Sequence, residues 1–144
     1  WFKKDGREID REAVQSLLSL SRGHTYYVQF LANRIYGLQL KSTKKEHVIQ
    51  TLIQILEEKE FIFYNYKKLL TGLQFKLLEA IAIEDGIDKP TSKKFINKHK
   101  LGTPSSVKTA LTALLNKEMI FENNKYYHVY DVFFSLWLNR RKIS

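Results

Sequence analysis

One stretch of this sequence concentrates side chains that suit contacts with a nucleic acid. Small hydroxyl groups recur there at helical spacing, with lysines around them: Lys93, Lys94, Lys98, Ser105, Lys108, Thr109, Thr112 and, further on, Lys125. Hydroxyl groups can bond to base edges in the major groove, and lysines neutralise phosphates. No arginine occurs between Arg34 and Arg140, so the side chain that most often reads guanine is missing. These residues predict a DNA-binding surface with weak base discrimination.

The elements that would position these side chains are encoded in residues 91–131. Thr103 suits a helix N-cap, and Pro104 suits the first helical position. Apolar residues follow at the spacing of one helix face, at Val107, Ala110, Leu111, Leu114 and Leu115. A shorter helix is predicted before this one, and a hairpin with a polar turn at residues 122–125 after it. Helix, turn, helix and hairpin is the order of a winged helix-turn-helix.

The N-terminal part predicts three further helices. The first follows a cap at Asp10, and the second begins at a cap at Thr25 and is apolar around much of its circumference. We expect this second helix to be the centre of a small bundle. The third helix would begin at a T-x-x-E capping box formed by Thr43 and Glu46.

A change of organisation is predicted near residue 70. Thr71 and Gln74 form a T-x-x-Q capping box for the next helix, and the aromatic run at residues 61–66 would plug the interface before it. We therefore expect a mainly α protein. A helical lid-like bundle would occupy residues 1–70, and a winged helix-turn-helix domain with one small β-hairpin would occupy residues 71–144.

Composition excludes several classes of protein. With no cysteine in 144 residues, the chain has no disulfide and no thiolate metal site, which suits a reducing cytoplasm. It contains no apolar run of about 18 residues that would span a membrane. Residues 86–144 hold 11 Lys and Arg against 4 Asp and Glu, whereas residues 1–85 hold 13 against 11. The positive charge therefore follows the predicted winged helix, as a nucleic-acid surface requires.

The sequence predicts no catalysis by this chain. Its four histidines stand singly, without a second ligand at helical spacing, so no metal site is expected. Neither G-x-G-x-x-G nor G-x-x-x-x-G-K-[ST] is present, so these residues form no phosphate cradle. The chain begins with tryptophan and its one methionine is Met119, so we expect it to be a piece of a longer protein.

The run RGHTYYVQ at residues 22–29 resembles the lid segment of archaeal-type P-loop ATPases of the AAA+ and STAND class, as found in archaea and Bacteroidetes. In these proteins a G-H-P-Y-Y-like turn opens a lid helix. The later segments LTGLQFKLLEAIA, PTSKKFINKHKL, TPSSVKTALTALLNKEMI and YYHVYDVFFSLWL also resemble that family, in the same order. The resemblance covers nearly the whole chain.

This resemblance implies that the lid turn lies near the adenine of ATP bound with Mg by an upstream nucleotide-binding domain of the same chain. Gly23, His24, Thr25 and Tyr26 would then line the nucleotide from the lid side. Thr25 stands where the related motif often has proline, and tyrosines stand where some relatives have a sensor arginine. The same four residues also suit an ordinary turn between two helices.

Three interpretations of the whole chain stay open at this stage. The first is the lid and winged-helix part of an ATPase whose winged helix binds DNA. The second is a winged helix that docks a protein partner or regulates the ATPase from within the chain. The third is a free-standing transcription regulator, which accounts for the winged helix but not for the lid-like first half.

Overall fold

The structure, a computed structural model, describes residues 5–140. Eight helices hold 63% of these residues, which confirms the mainly α prediction. The chain divides into two compact units after Lys59. Among the described helices, none combines the length and the apolar character needed to cross a membrane.

The first unit is built from three helices and one pair of very short strands. Its elements are β1 (Glu8–Ile9), α1 (Arg11–Leu20), α2 (Thr25–Tyr36), β2 (Ser42–Thr43) and α3 (Lys45–Glu58). Both α1 and α2 pack against α3, which buries Val48, Leu52 and Ile55 completely. The expectation that the second helix is central is therefore wrong, because α2 buries only Leu31 and Ile35.

The predicted capping box at Thr43 is also wrong. Thr43 belongs to β2, which pairs in parallel with β1, and its carbonyl accepts a hydrogen bond from the Asp10 amide at 2.8 Å. Because strand pairing uses this residue, α3 begins one position later, with Lys44 as its N-cap. The His47 ring closes the turn instead, since Nδ1 accepts a hydrogen bond from the Lys44 amide at 2.9 Å.

The second unit consists of α4 (Glu60–Lys68), α5 (Gly72–Glu84), α6 (Lys93–His99), α7 (Pro104–Asn116), β3 (Ile120–Asn123), β4 (Tyr126–Val129) and α8 (Val132–Leu138). Helix α5 contacts α6, α7, α8 and β4, so it forms the centre of this unit. Its predicted capping box is present: Gln74 N donates to Thr71 Oγ1, and Thr71 N donates to Gln74 Oε1, both at 3.2 Å. Asp131 also caps its helix, α8, by accepting from the Phe134 amide at 3.1 Å.

Helix α4 belongs to the second unit, whereas the sequence placed the boundary after residue 70. The reason is the Phe63 ring, which is buried and stacks on Phe134 at a centroid distance of 5.1 Å, with Trp137 at 5.6 Å. The contacts of Phe63 therefore lie within the second unit, whereas Phe61 in the same helix is 77% exposed.

The predicted hairpin is confirmed, and one further residue pairs with its second strand. Strands β3 and β4 are antiparallel, with Asn123 opposite Tyr126 across a two-residue turn. Ile87 pairs with Tyr127 on the outer side of β4, through amide hydrogen bonds of 2.8 and 3.1 Å. Beside this bridge, Gly86 has φ +108° and lies directly against the His128 ring.

We expect Gly86→Ala to lower the free energy of unfolding by about 2 to 4 kcal/mol. A side chain disfavours this φ, and the added Cβ would lie 2.4 Å from His128 Cε1. Urea unfolding followed by circular dichroism measures the change. The matched control is Gly72→Ala, whose Cβ meets nothing within 4 Å and which should be neutral or slightly stabilising. Equal stability of the two variants would contradict the packing described here.

Candidate nucleic-acid interface

Helix α7 presents a polar face because its apolar stripe is buried. The Thr103 hydroxyl caps the helix by accepting from the Ser106 amide at 3.2 Å, and Pro104 occupies the first turn, both as predicted. Val107, Ala110, Leu111 and Leu114 are buried. With this stripe turned inward, the helical period turns the opposite face to solvent. The four predicted contact residues of this helix are all exposed: Ser105, Lys108, Thr109 and Thr112.

The threonine hydroxyls of this face are oriented by their own helix. Thr109 Oγ1 donates to the Ser105 carbonyl, and Thr112 Oγ1 donates to the Lys108 carbonyl, each at 3.1 Å. Each hydroxyl hydrogen is therefore used, while the oxygen lone pairs remain available. Such groups accept from the exocyclic amino groups of adenine or cytosine but do not read guanine O6 or N7.

Helix α6 brings two more predicted lysines to the surface. The Ser92 hydroxyl caps this helix by accepting from the Phe95 amide at 3.3 Å, and Phe95 and Ile96 are buried. Lys93 and Lys94 are exposed in its first turn, where the helix dipole disfavours positive charge. Among the described residues, neither lysine forms an ion pair, so no acidic side chain offsets their unfavourable interaction with the helix dipole.

Lys98 differs from the other predicted lysines because it is already paired. Its Nζ lies 2.6 Å from Glu84 Oε1, and His99 Nε2 lies 2.8 Å from the same oxygen. Hydrogen bonds from Lys98 and then from His99 lower the pKa of Glu84 from its ordinary value of 4.5. Sequence reasoning treated His99 as a single histidine without a partner ligand and missed Glu84. Their pairing joins the end of α5 to the end of α6, across fifteen positions of sequence that carry no periodic signal.

The last predicted lysine, Lys125, stands at the tip of the hairpin. It is exposed and has φ 68°, and its neighbour Asn124 has φ 51°. Two consecutive left-handed residues form the tight turn that favours asparagine followed by glycine. A lysine in the glycine position is conformationally unfavourable, so a role for its charge would account for its presence.

An acid-free part of the chain coincides with this surface. Between Asp88 and Glu118 there is no acidic residue, and there are seven lysines: Lys89, Lys93, Lys94, Lys98, Lys100, Lys108 and Lys117. We call residues 89–117 the basic segment. Sequence reasoning left out Lys89 and Lys100, which are both exposed. Lys117 is bound elsewhere, since its Nζ donates to the Leu69 carbonyl at 3.0 Å and to Gln74 Oε1 at 3.1 Å.

The predicted nucleotide-contacting residues lie in the first unit, in the turn between α1 and α2. Gly23 has φ +66°, and its amide donates to the Leu18 carbonyl at 2.9 Å. His24 is the N-cap position of α2, and Thr25, predicted as the cap, is its first residue. All four residues from Gly23 to Tyr26 are exposed. Arg34, further along α2, pairs with Glu58 at 2.9 Å.

The order of elements in the second unit is that of a winged helix-turn-helix, with α7 as the second helix of the motif and the hairpin as the wing. Residues 61–140 match the family described as "Probable winged helix domain", and the chain belongs to this family. No curated protein and no solved structure matches the chain.

The Glu84 ion pairs predict a pH-dependent stability. Because the pKa of Glu84 is lowered in the folded protein, its contribution is present above pH 4.5 and is lost as the pH falls through the folded-state pKa. We expect Glu84→Gln to lower the free energy of unfolding by about 0.5 to 1 kcal/mol at pH 7. The difference in free energy of unfolding between the variant and wild type should disappear at acidic pH.

Urea unfolding of both proteins at several pH values between about 7 and 2.5 measures this difference. Glu79→Gln, on the same helix, is the control, because Glu79 forms no ion pair within residues 5–140 and should give no such acid-dependent gap. A destabilisation by Glu84→Gln that is the same at every pH would contradict the assignment.

Proposed function

We propose that the winged helix of this chain binds duplex DNA with low sequence specificity, and that the chain has no catalytic activity of its own. The observation that carries this proposal is the basic segment, whose lysines have no acidic residue among them. Its exposed side chains lie on the helix-turn-helix, the part of a winged helix that commonly enters a groove.

In this proposal α7 enters the major groove. Ser105, Thr109 and Thr112 face the base edges, while lysines on α6, α7 and the wing neutralise phosphates. Discrimination between sequences is weak because hydroxyl acceptors replace the arginines that read guanine. Affinity is then mostly electrostatic, with a dissociation constant of about 1 to 100 µM at physiological salt.

A second candidate function, docking of a protein partner or regulation within the chain, is favoured by a different observation. Helix α4 and the residue after it expose large apolar side chains, Phe61 at 77% and Leu69 at 67%. Exposed apolar surface of this kind is typical of protein contacts. Under this alternative, the basic segment would be an ordinary solvated face.

We also propose that the first unit is the lid of a P-loop ATPase, with ATP and Mg held by an upstream nucleotide-binding domain. Support comes from the family resemblance of residues 22–29 and from the exposed turn from Gly23 to Tyr26, which leaves these side chains free to meet a ligand. The coding sequence upstream of Trp1 tests this directly. We expect it to encode G-x-x-x-x-G-K-[ST] after a strand pattern. An initiator codon immediately before Trp1 would contradict the lid proposal and support the free-standing regulator.

The duplex-binding proposal predicts steep salt dependence. Four or five neutralised phosphates should give a slope of log affinity against log salt of about −4, measured by fluorescence anisotropy with a labelled duplex. The Lys94→Glu, Lys108→Glu double variant should lose at least about tenfold in affinity. Its matched control is Lys41→Glu, Lys76→Glu, which makes the same charge change at exposed lysines outside the basic segment.

Lys125→Gly adds a readout that separates folding from binding. Glycine relieves the left-handed strain, so the free energy of unfolding should rise by about 0.5 to 1 kcal/mol. The salt slope should fall in magnitude by about one, since one phosphate contact is lost.

Two outcomes would contradict a specific DNA surface and favour the docking alternative. One is an equal loss of affinity in the Lys94→Glu, Lys108→Glu variant and in its control, and the other is no binding of duplex at low salt.

A further inference from the structure

The wing has an unusual distribution of side chains between its two faces. Ile120 and Val129, opposite each other in the ladder, are 2% and 1% exposed, so this face packs on the core. The other face of a hairpin with one buried face is normally polar. In this protein it carries aromatic rings, although Asn123 shares it.

Four rings on this outer face form a continuous aromatic row, consisting of Phe121, Tyr126, His128 and Tyr130. Tyr126 stacks on His128 at a centroid distance of 6.3 Å and an interplanar angle of 29°. His128 lies 5.7 Å from Phe121, its partner across the ladder. Phe121 meets the edge of Tyr130 at 5.8 Å. Each ring is therefore held by at least one neighbour in the row.

The two ends of the aromatic row are open to solvent. Tyr126 is 46% exposed and Tyr130 is 63% exposed, whereas the two rings between them are half-buried. Exposed aromatic surface adds little to folding stability, because the hydrophobic contribution to the free energy of folding comes from apolar area that is removed from water. Rings that are exposed and already oriented suit a ligand with flat apolar faces, and they would lose little conformational freedom on binding it.

A lysine lies at the tip end of the aromatic row. Lys125 precedes Tyr126 in the chain at the tip of the wing. Of the two nearest acidic residues in sequence, Glu122 lies opposite Tyr127 on the other face of the hairpin, and the Asp131 carboxylate caps α8. The wing also follows directly from the basic segment, with β3 beginning at Ile120. Aromatic rings beside lysines are the combination with which proteins bind single strands.

We propose that the aromatic row stacks on unpaired bases of a strand that continues from the duplex bound at α7. The preferred ligand is thus a duplex with a single-stranded extension, and the wing recognises the place where pairing ends. This inference rests on the proposed duplex binding. Stacking of this kind tolerates any base, in keeping with the absence of arginine from α7.

The test compares a blunt duplex with the same duplex carrying an unpaired tail at its 5′ or 3′ end, with 2-aminopurine in the tail. Wild-type protein should bind one of the tailed duplexes about tenfold more tightly than the blunt one, and the 2-aminopurine fluorescence should change as its base stacks. Tyr126→Leu, Tyr130→Leu keeps apolar side chains but removes the rings. It should bind the blunt duplex like wild type and lose both the gain from the tail and the fluorescence change.

Tyr64→Leu is the matched control, because Tyr64 is a partly exposed tyrosine of the same unit that lies outside the wing. It should keep the gain. If the blunt duplex binds and no tail improves binding, or if the double variant keeps the gain, the stacking inference is overturned and duplex binding stands. If neither DNA binds at low salt, the proposed function fails and the inference fails with it.

Discussion

The burial of the apolar stripe of α7 against α5 is the interaction on which the candidate interface depends. Each fully buried Val or Leu of that stripe contributes about 1.5 to 3 kcal/mol, so rotating the helix about its axis would be strongly unfavourable. With that rotation excluded, the hydroxyl groups and Lys108 must face solvent. Lys117, bound to the Leu69 carbonyl and Gln74 Oε1, ties the end of α7 to the start of α5. The wing leaves from this tied end, so its position follows from the same packing.

Features encoded within one turn of helix could be predicted from the sequence. The capping residues Thr71, Thr103 and Asp131 each use a side chain and an amide three positions away, and all three are present in the structure. Features that depend on distant pairing could not be predicted. Thr43 has the sequence of a cap, but its pairing with Ile9 makes it a strand residue. The bridge from Ile87 to Tyr127 has the same kind of origin.

The candidate site also combines features that are encoded locally with features that depend on distant contacts. All eight predicted DNA-contacting residues are exposed, because helical period and turn position decide which side chains avoid the core. The sequence could not show that Lys98 is held by Glu84, since that contact joins the ends of two helices. It also could not show which face of YYHVY is outward, because both alternating sets are rich in aromatic or β-branched residues.

The central claim is that the basic segment and the wing tip form the surface that meets DNA. An NMR titration of the ¹⁵N-labelled chain with a short duplex at low salt tests it residue by residue. The account predicts that the largest amide shifts fall in α6, the first three turns of α7 and the turn at Lys125, and that they disappear as salt is added. The account would be contradicted if the largest shifts fell on α4 or in the first unit, or if no amide responded.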